Sequence, residues 1–185
     1  MTKTNIIILI IALVIVLVFL SIIIYKTFGE KLDNIVNKLK DSEKDAIDKL
    51  NTKKDILLEL IKFTESKYKI ESKVFEEVKE LSIEDLSSFN NEKKLNKCYK
   101  EIVQIREDHK KVRETKAFKE LFLEFEKNEI NIISLRTFHN KYTLIYNNML
   151  KKFPYNIISK IKKYKLNTLI EGKELDSNFN NDLEV

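Results

Sequence analysis

The chain has 185 residues with 34% charged side chains, a formal net charge of +5, two glycines, one proline and one cysteine. So few turn formers among so many helix formers exclude a barrel or a sandwich and predict an all-α protein. The lone Cys98 rules out an intramolecular disulfide and a cysteine-built metal cage, leaving it as a small packed apolar residue.

After a short amino-terminal tail (1–5), residues 6–25 (IIILIIALVIVLVFLSIIIY) form an uninterrupted apolar run. About 20 helical residues at about 1.5 Å each cross the roughly 30 Å hydrocarbon core of a bilayer. The run is longer than the apolar core of a cleaved signal peptide and leaves through Ile24, Tyr25 and Lys26 without a small-residue cleavage site, so it reads as a retained transmembrane helix. Tyr25 and Lys26 suit the membrane interface. Only Lys3 precedes the run, whereas Lys26, Lys31, Lys38 and Lys40 follow it. That asymmetry places the amino terminus outside and the carboxy-terminal part in the cytoplasm of a single-pass cell-membrane protein. The opposite topology is the alternative left open by Glu30, Asp33 and Asp41.

Residues 26–166 are expected to form one antiparallel, four-helix-type bundle. Leu32, Ile35, Val36, Leu39, Ala46, Leu50, Leu57, Leu60 and Ile61 recur at helical, nearly heptad spacing. Gly29 offers a bend, and a helix continuing to Leu81 would outrun a small bundle, so a break is expected between Asn51 and Ile70. Serines and asparagines in 82–91 mark a loop. A helix then runs from about Glu92 to Glu114, with Leu95, Cys98, Ile102, Ile105 and His109 on its apolar stripe. Another begins near Ala117 and reaches about Lys152, where Pro154 stops it. Asn156 is expected to cap a short basic amphipathic helix carrying Ile157, Ile158, Ile161 and Tyr164. Residues 167–185 lack a period and read as a mobile polar tail.

The long helix ending before Pro154 carries the most informative pattern. At about 100° per residue, Glu129, Arg136, Asn140 and Asn147 fall on one narrow line that continues Phe118, Phe122 and Phe125. The neighbouring face holds Ile132, Leu135, His139, Tyr142, Tyr146, Met149 and Phe153. A polar seam that extends an aromatic one is at least partly buried and must find partners. Arg136, with five donors in a fixed fork, is its centre, and Glu129 or Asp55 is its expected carboxylate. The seam favours a structural role in fixing helix register over a binding or proton-handling site, because it offers no nucleophile.

The stretch NEINIISLRTFHNKYTLIYNNMLKKFPYN resembles the signature of the LemA family through Glu129, Ile132, Arg136, Asn140, Tyr146, Asn147, Phe153, Pro154 and Asn156. A weaker likeness lies in LNTKKDILLELI, through Leu50, Asp55 and Leu60. The chain departs from the family pattern at Leu58, Glu59 and His139, and lacks the tryptophan of the first helix. The resemblance extends from Tyr25 to about Lys165 and includes the anchor. It implies one amino-terminal transmembrane helix, a long antiparallel bundle, a bacterial source and no catalytic residues.

No phosphate loop, zinc-binding helix motif, CxxC or nucleophile elbow is present. The basic residues alternate with acids, as in DSEKDAIDK and FEEVKE, instead of clustering with arginines and aromatics as nucleic-acid binders do. The chain is therefore expected to be neither an enzyme nor a nucleic-acid binder and to need no cofactor. The expected function is a membrane-anchored interaction or scaffold module whose partners are the lipid bilayer and either a protein or a second copy. The alternative is a signal-input or membrane-organising component.

Overall fold

The computed structural model describes residues 3–172, of which 84% are helical and none is in a strand. The helices are α1 (Lys3–Tyr68), α2 (Lys73–Lys79), α3 (Glu92–Asp108), α4 (Lys110–Glu114), α5 (Lys116–Met149) and α6 (Tyr155–Lys162), with a 3-10 turn at Leu86–Asn91. Two compact units divide the chain. Among the described residues the first comprises 3–40 with 141–168, and the second 41–140 with 169–172.

In the second unit, Ala46, Leu50, Lys53, Leu57, Leu60 and Thr64 of α1 are fully buried. Their alternating steps of four and three residues keep one seam of the helix facing its neighbours. Phe75, Val78, Leu95, Cys98, Ile102, Phe118 and Phe125 complete the core against that seam. Each fully buried aliphatic or aromatic side chain contributes about 1.5–3 kcal/mol. Tyr99 stacks on Phe125 with ring centroids 3.9 Å apart.

Residue pairs fix the directions within this unit. Ser42 meets His139 and Asn128 reaches the carbonyl of Lys49, so α5 runs antiparallel to α1. Arg136 meets Glu92 while Phe125 meets Tyr99, so α5 also runs antiparallel to α3.

The ends of the elements refine the sequence reading. α1 passes uninterrupted through Gly29 and stops at Tyr68, where Lys69 turns left-handed at φ 53° and donates to the Glu65 carbonyl. The break thus falls inside the expected window, near its far end. The loop foreseen at 82–91 is largely the 3-10 turn, opened by Asp85 accepting from the Ser87 N–H at 2.8 Å. The helix foreseen from Glu92 to Glu114 is instead two helices. His109 interrupts it in an extended conformation (φ −119°, ψ 93°) and is exposed, so it does not extend the apolar stripe.

In the first unit, Leu32, Leu39, Tyr146 and Ile158 form a buried cluster joining α1, α5 and α6. α5 ends at Met149, earlier than expected, because a turn at 150–154 intervenes and Pro154 caps α6 instead of directly terminating α5. Asn156 is not the cap. It lies inside α6, its backbone N–H donates to the Lys152 carbonyl at 2.9 Å, and its buried Oδ1 has no partner among the described residues. Phe153, placed by the helix wheel on an inner face, is 75% exposed because α5 has ended before reaching it.

Here α6 and the residues just after it pack on α1 through an edge-on Phe28–Tyr155 ring pair, with centroids 5.0 Å apart, and through Lys162 and, beyond the helix end, Tyr164, which both donate to Asp33. The Lys162 ammonium, with help from Tyr164, holds the Asp33 carboxyl below its usual pKa. Gly29 lies beneath Lys162, and a Cβ there would stand 3.4 Å from the ammonium nitrogen.

Residues 6–25 of α1 are exposed along their whole length. That stretch is long and apolar enough to cross a membrane, and none of it is buried within the structure.

Candidate functional site

The second unit holds a buried cluster of charges. Lys53 projects from the core seam of α1 and is completely enclosed. Its ammonium donates to Asn96 Oδ1 at 2.7 Å and Glu92 Oε1 at 3.2 Å. It also lies 2.6 Å from Glu129 Oε1, a close ion pair whose angles are not those of a hydrogen bond. Arg136 is 1% exposed and donates from Nη2 to Glu92 Oε2 at 2.7 Å. Glu92 therefore bridges the two cations, one carboxylate oxygen to each. It occupies the first turn of α3, where the exposed N–H groups of the helix also favour negative charge.

Aromatic rings complete the cage. The Arg136 guanidinium lies 5.2 Å from the centre of the Phe89 ring, and the Lys53 ammonium 5.6 Å from that of Phe125. Beside them is a cavity of about 360 Å³, onto which Arg136, Glu92, Glu129, Asn96, Phe89 and Gly172 open. Gly172 has φ +131°, and a Cβ there would lie 2.6 Å from Arg136 Cζ, so only glycine fits against the guanidinium.

Two amides on α5 each grip the backbone of a single residue further along the chain. In the second unit, Asn140 donates to the Ile170 carbonyl at 2.9 Å and accepts from the Ile170 N–H at 2.8 Å. In the first, Asn147 does the same with Asn167, at 2.8 and 3.0 Å. A primary amide presents one donor and one acceptor side by side, which matches the two polar groups of a single residue. Residues 167 and 170 are thus anchored, contrary to the expectation of a mobile tail from Asn167, while residues 173–185 lie outside the described part.

Of the site residues expected from sequence, Glu129, Arg136 and Asn140 take part in these contacts of the second unit, and Asn147 in those of the first. Asp55 does not belong with them. It is exposed, because two residues beyond Lys53 along a helix is a rotation of about 200°. Among the described residues the carboxylate paired with Arg136 is that of Glu92, and Glu129 pairs with Lys53 instead. Lys53 and Glu92 were not foreseen. The signal for Lys53 was present, since it is the one charged residue in the run of core positions 46, 50, 53, 57 and 60.

Chemically, the cluster offers two cations committed to two carboxylates, an amide and aromatic faces. Cys98, the one thiol, is fully buried, and burial pushes its pKa up to about 12, leaving it a poor nucleophile. Among the described residues no group of three or more histidine, cysteine or acidic side chains is placed to hold a metal ion. The arrangement is suited to locking α1, α3 and α5 in one register.

Comparison with curated proteins and with solved structures finds no match to either. The model of one protein family, described as the LemA family, matches residues 43–181. This match covers the charged cluster and the Asn140 and Asn147 clamps but begins after the apolar span and does not include it. As it takes in about three quarters of the sequence, the chain belongs to the LemA family.

Proposed function

We propose that the protein is a single-pass anchored scaffold at the bacterial cell membrane, working by contact with a protein partner or a second copy and not by catalysis. The observation that carries this reading is the character of α1. Its first part is an apolar stretch with no protein around it, and the same continuous helix goes on to supply a core seam. Such a stretch needs lipid to cover it. The lysine asymmetry around the span favours a cytoplasmic position for the rest of the chain. The charged groups of the buried cluster are engaged with one another, which suits a supporting role.

Within the second unit, Leu123 and Ile130 of α5 are 55% and 61% exposed. Seven residues apart, they stand on one helix face and form a ridge available to a partner helix. A photo-crosslinker at position 127, on the same face, should capture a discrete partner or a dimer in intact membranes. The double variant Leu123→Glu, Ile130→Glu should lose that product while melting unchanged, because both side chains are already exposed. Equal crosslinking by the double variant would refute this contact.

A further inference from the structure

The first unit presents a surface that its own core does not use. Phe153, Ile157 and Ile161 recur at four-residue intervals in α6 and the turn before it, and are 75%, 51% and 60% exposed. Lys151, Lys152, Lys160 and Lys163 flank them, all four exposed. The other side of α6 is occupied. Ile158 is buried in the unit's core, Tyr155 packs on Phe28, and Lys162 is committed to Asp33. α6 therefore has one face fixed to α1 and an opposite apolar face, bordered by cations, with no protein over it.

The attachment point sets its depth. Phe28 and Asp33 follow Tyr25, the last residue of the apolar span, by three and eight positions, about 4.5 and 12 Å of helical rise. The polar layer on each side of the hydrocarbon core is about 5–8 Å thick. A helix held at Phe28 thus lies at the level of the lipid headgroups, where an apolar strip can dip toward the acyl chains while lysines meet phosphate.

We propose that α6 and the turn before it form a second membrane contact, specific for an anionic leaflet, with Phe153, Ile157 and Ile161 inserted and the flanking lysines on lipid phosphates. This rests on the reading of α1 as a membrane anchor and adds to it a lipid-recognising surface. Two independent features, the exposed strip and the fixed neighbourhood of the span, point to lipid as the occupant, and the surrounding positive charge selects anionic headgroups.

The chain contains no tryptophan, so Ile157→Trp gives a single reporter on this face. The full-length variant is reconstituted into phosphatidylcholine vesicles with and without an equal part of phosphatidylglycerol. Quenching by lipids brominated in the upper acyl chain is then compared with quenching by aqueous iodide. The expected result is a blue-shifted emission, quenched several-fold more by brominated lipid than by iodide, with the lipid quenching reduced when phosphatidylglycerol is omitted. Stronger quenching by iodide overturns the proposal, as does shielding from both quenchers, which would mean that protein covers the face. Lipid quenching of equal strength in neutral vesicles overturns the anionic specificity. An alkaline wash and flotation of the same vesicles separate the two readings. A chain that floats while iodide reaches the introduced indole removes only the α6 contact, whereas a chain washed off removes the anchor itself. If Ile157→Trp does not fold, Ile161→Trp on the same face takes its place.

Discussion

Replacing Lys53 by alanine is expected to lower the stability of the second unit by about 3 kcal/mol, the largest effect of any single substitution considered for this chain. The ammonium is fully enclosed and lies within 3.2 Å of two carboxylates, those of Glu92 and Glu129. Without it, two like charges face one another across the space it leaves, Asn96 loses its donor, and a hole opens in the α1 seam. Breaking a buried ion pair usually costs about 3–5 kcal/mol, and partial exposure of the carboxylates, 12% and 28%, puts this case at the lower end. Lys53→Met combined with Glu129→Gln should recover much of the loss, because it removes a charge of each sign and refills the volume. Cys98 supplies the readout. Buried and poorly ionised, it should react with a thiol reagent only when the core opens, so pulsed labelling across a denaturant series reports the unfolding of this unit. Unchanged labelling of Lys53→Ala would show that the cluster does not hold the core together.

Arg136→Ala should destabilise the same unit, by about 2–3 kcal/mol, and should do so by loosening the fold instead of leaving a folded but inactive protein. The substitution takes one of two cations from Glu92, removes the guanidinium from the Phe89 ring and leaves Gly172 facing an enlarged cavity. The loss is smaller than for Lys53 because Glu92 keeps its contact with the lysine ammonium. Arg136→Lys should restore only part of it. A lysine is a point charge on a flexible stem and cannot reproduce a planar fork that lies over the Phe89 ring while donating to Glu92. Melting of Arg136→Ala at the temperature of the unaltered chain would contradict this account.

Much of this architecture was legible in the sequence for identifiable reasons. The apolar span declares itself by length, and the body by helical periodicity with almost no turn formers. The polar line on α5 is read from the 100° step alone, and Arg136, buried on that line, is where the wheel puts it. Contacts between elements distant in sequence were not legible, because periodicity orients a side chain without naming what it faces. Glu92 looked like an ordinary first-turn acid of α3, and nothing local marks it as the bridge between Lys53 and Arg136. Lys53 was hidden by its type, since lysine next to Lys54 in a charged stretch suggests a solvated face even at a core position. Asn156 failed for another reason. An asparagine just after a proline resembles a cap, but the turn at 150–154 lets Pro154 itself take that position.

The two asparagine clamps show how a polar residue on a buried line is used. Asn140 and Asn147 are seven residues apart, nearly two helical turns, and each commits its amide to the backbone of one later residue. Such contacts hold a segment that has no periodicity of its own, which is why residues 167–170 lacked any sequence signal of order. Gly172 lies two residues after Ile170, where a Cβ would collide with the guanidinium.

The proposed mode of action depends on residues 6–25 being embedded in lipid. The direct measurement is fractionation of cells producing the full-length chain tagged at its carboxy terminus, with the membrane pellet washed in alkaline carbonate. The account predicts that the intact chain stays in the pellet and is released only by detergent, whereas the same chain lacking residues 6–25 leaves with the wash. Recovery of the intact chain in the aqueous fraction, with its apolar run still attached, would contradict it.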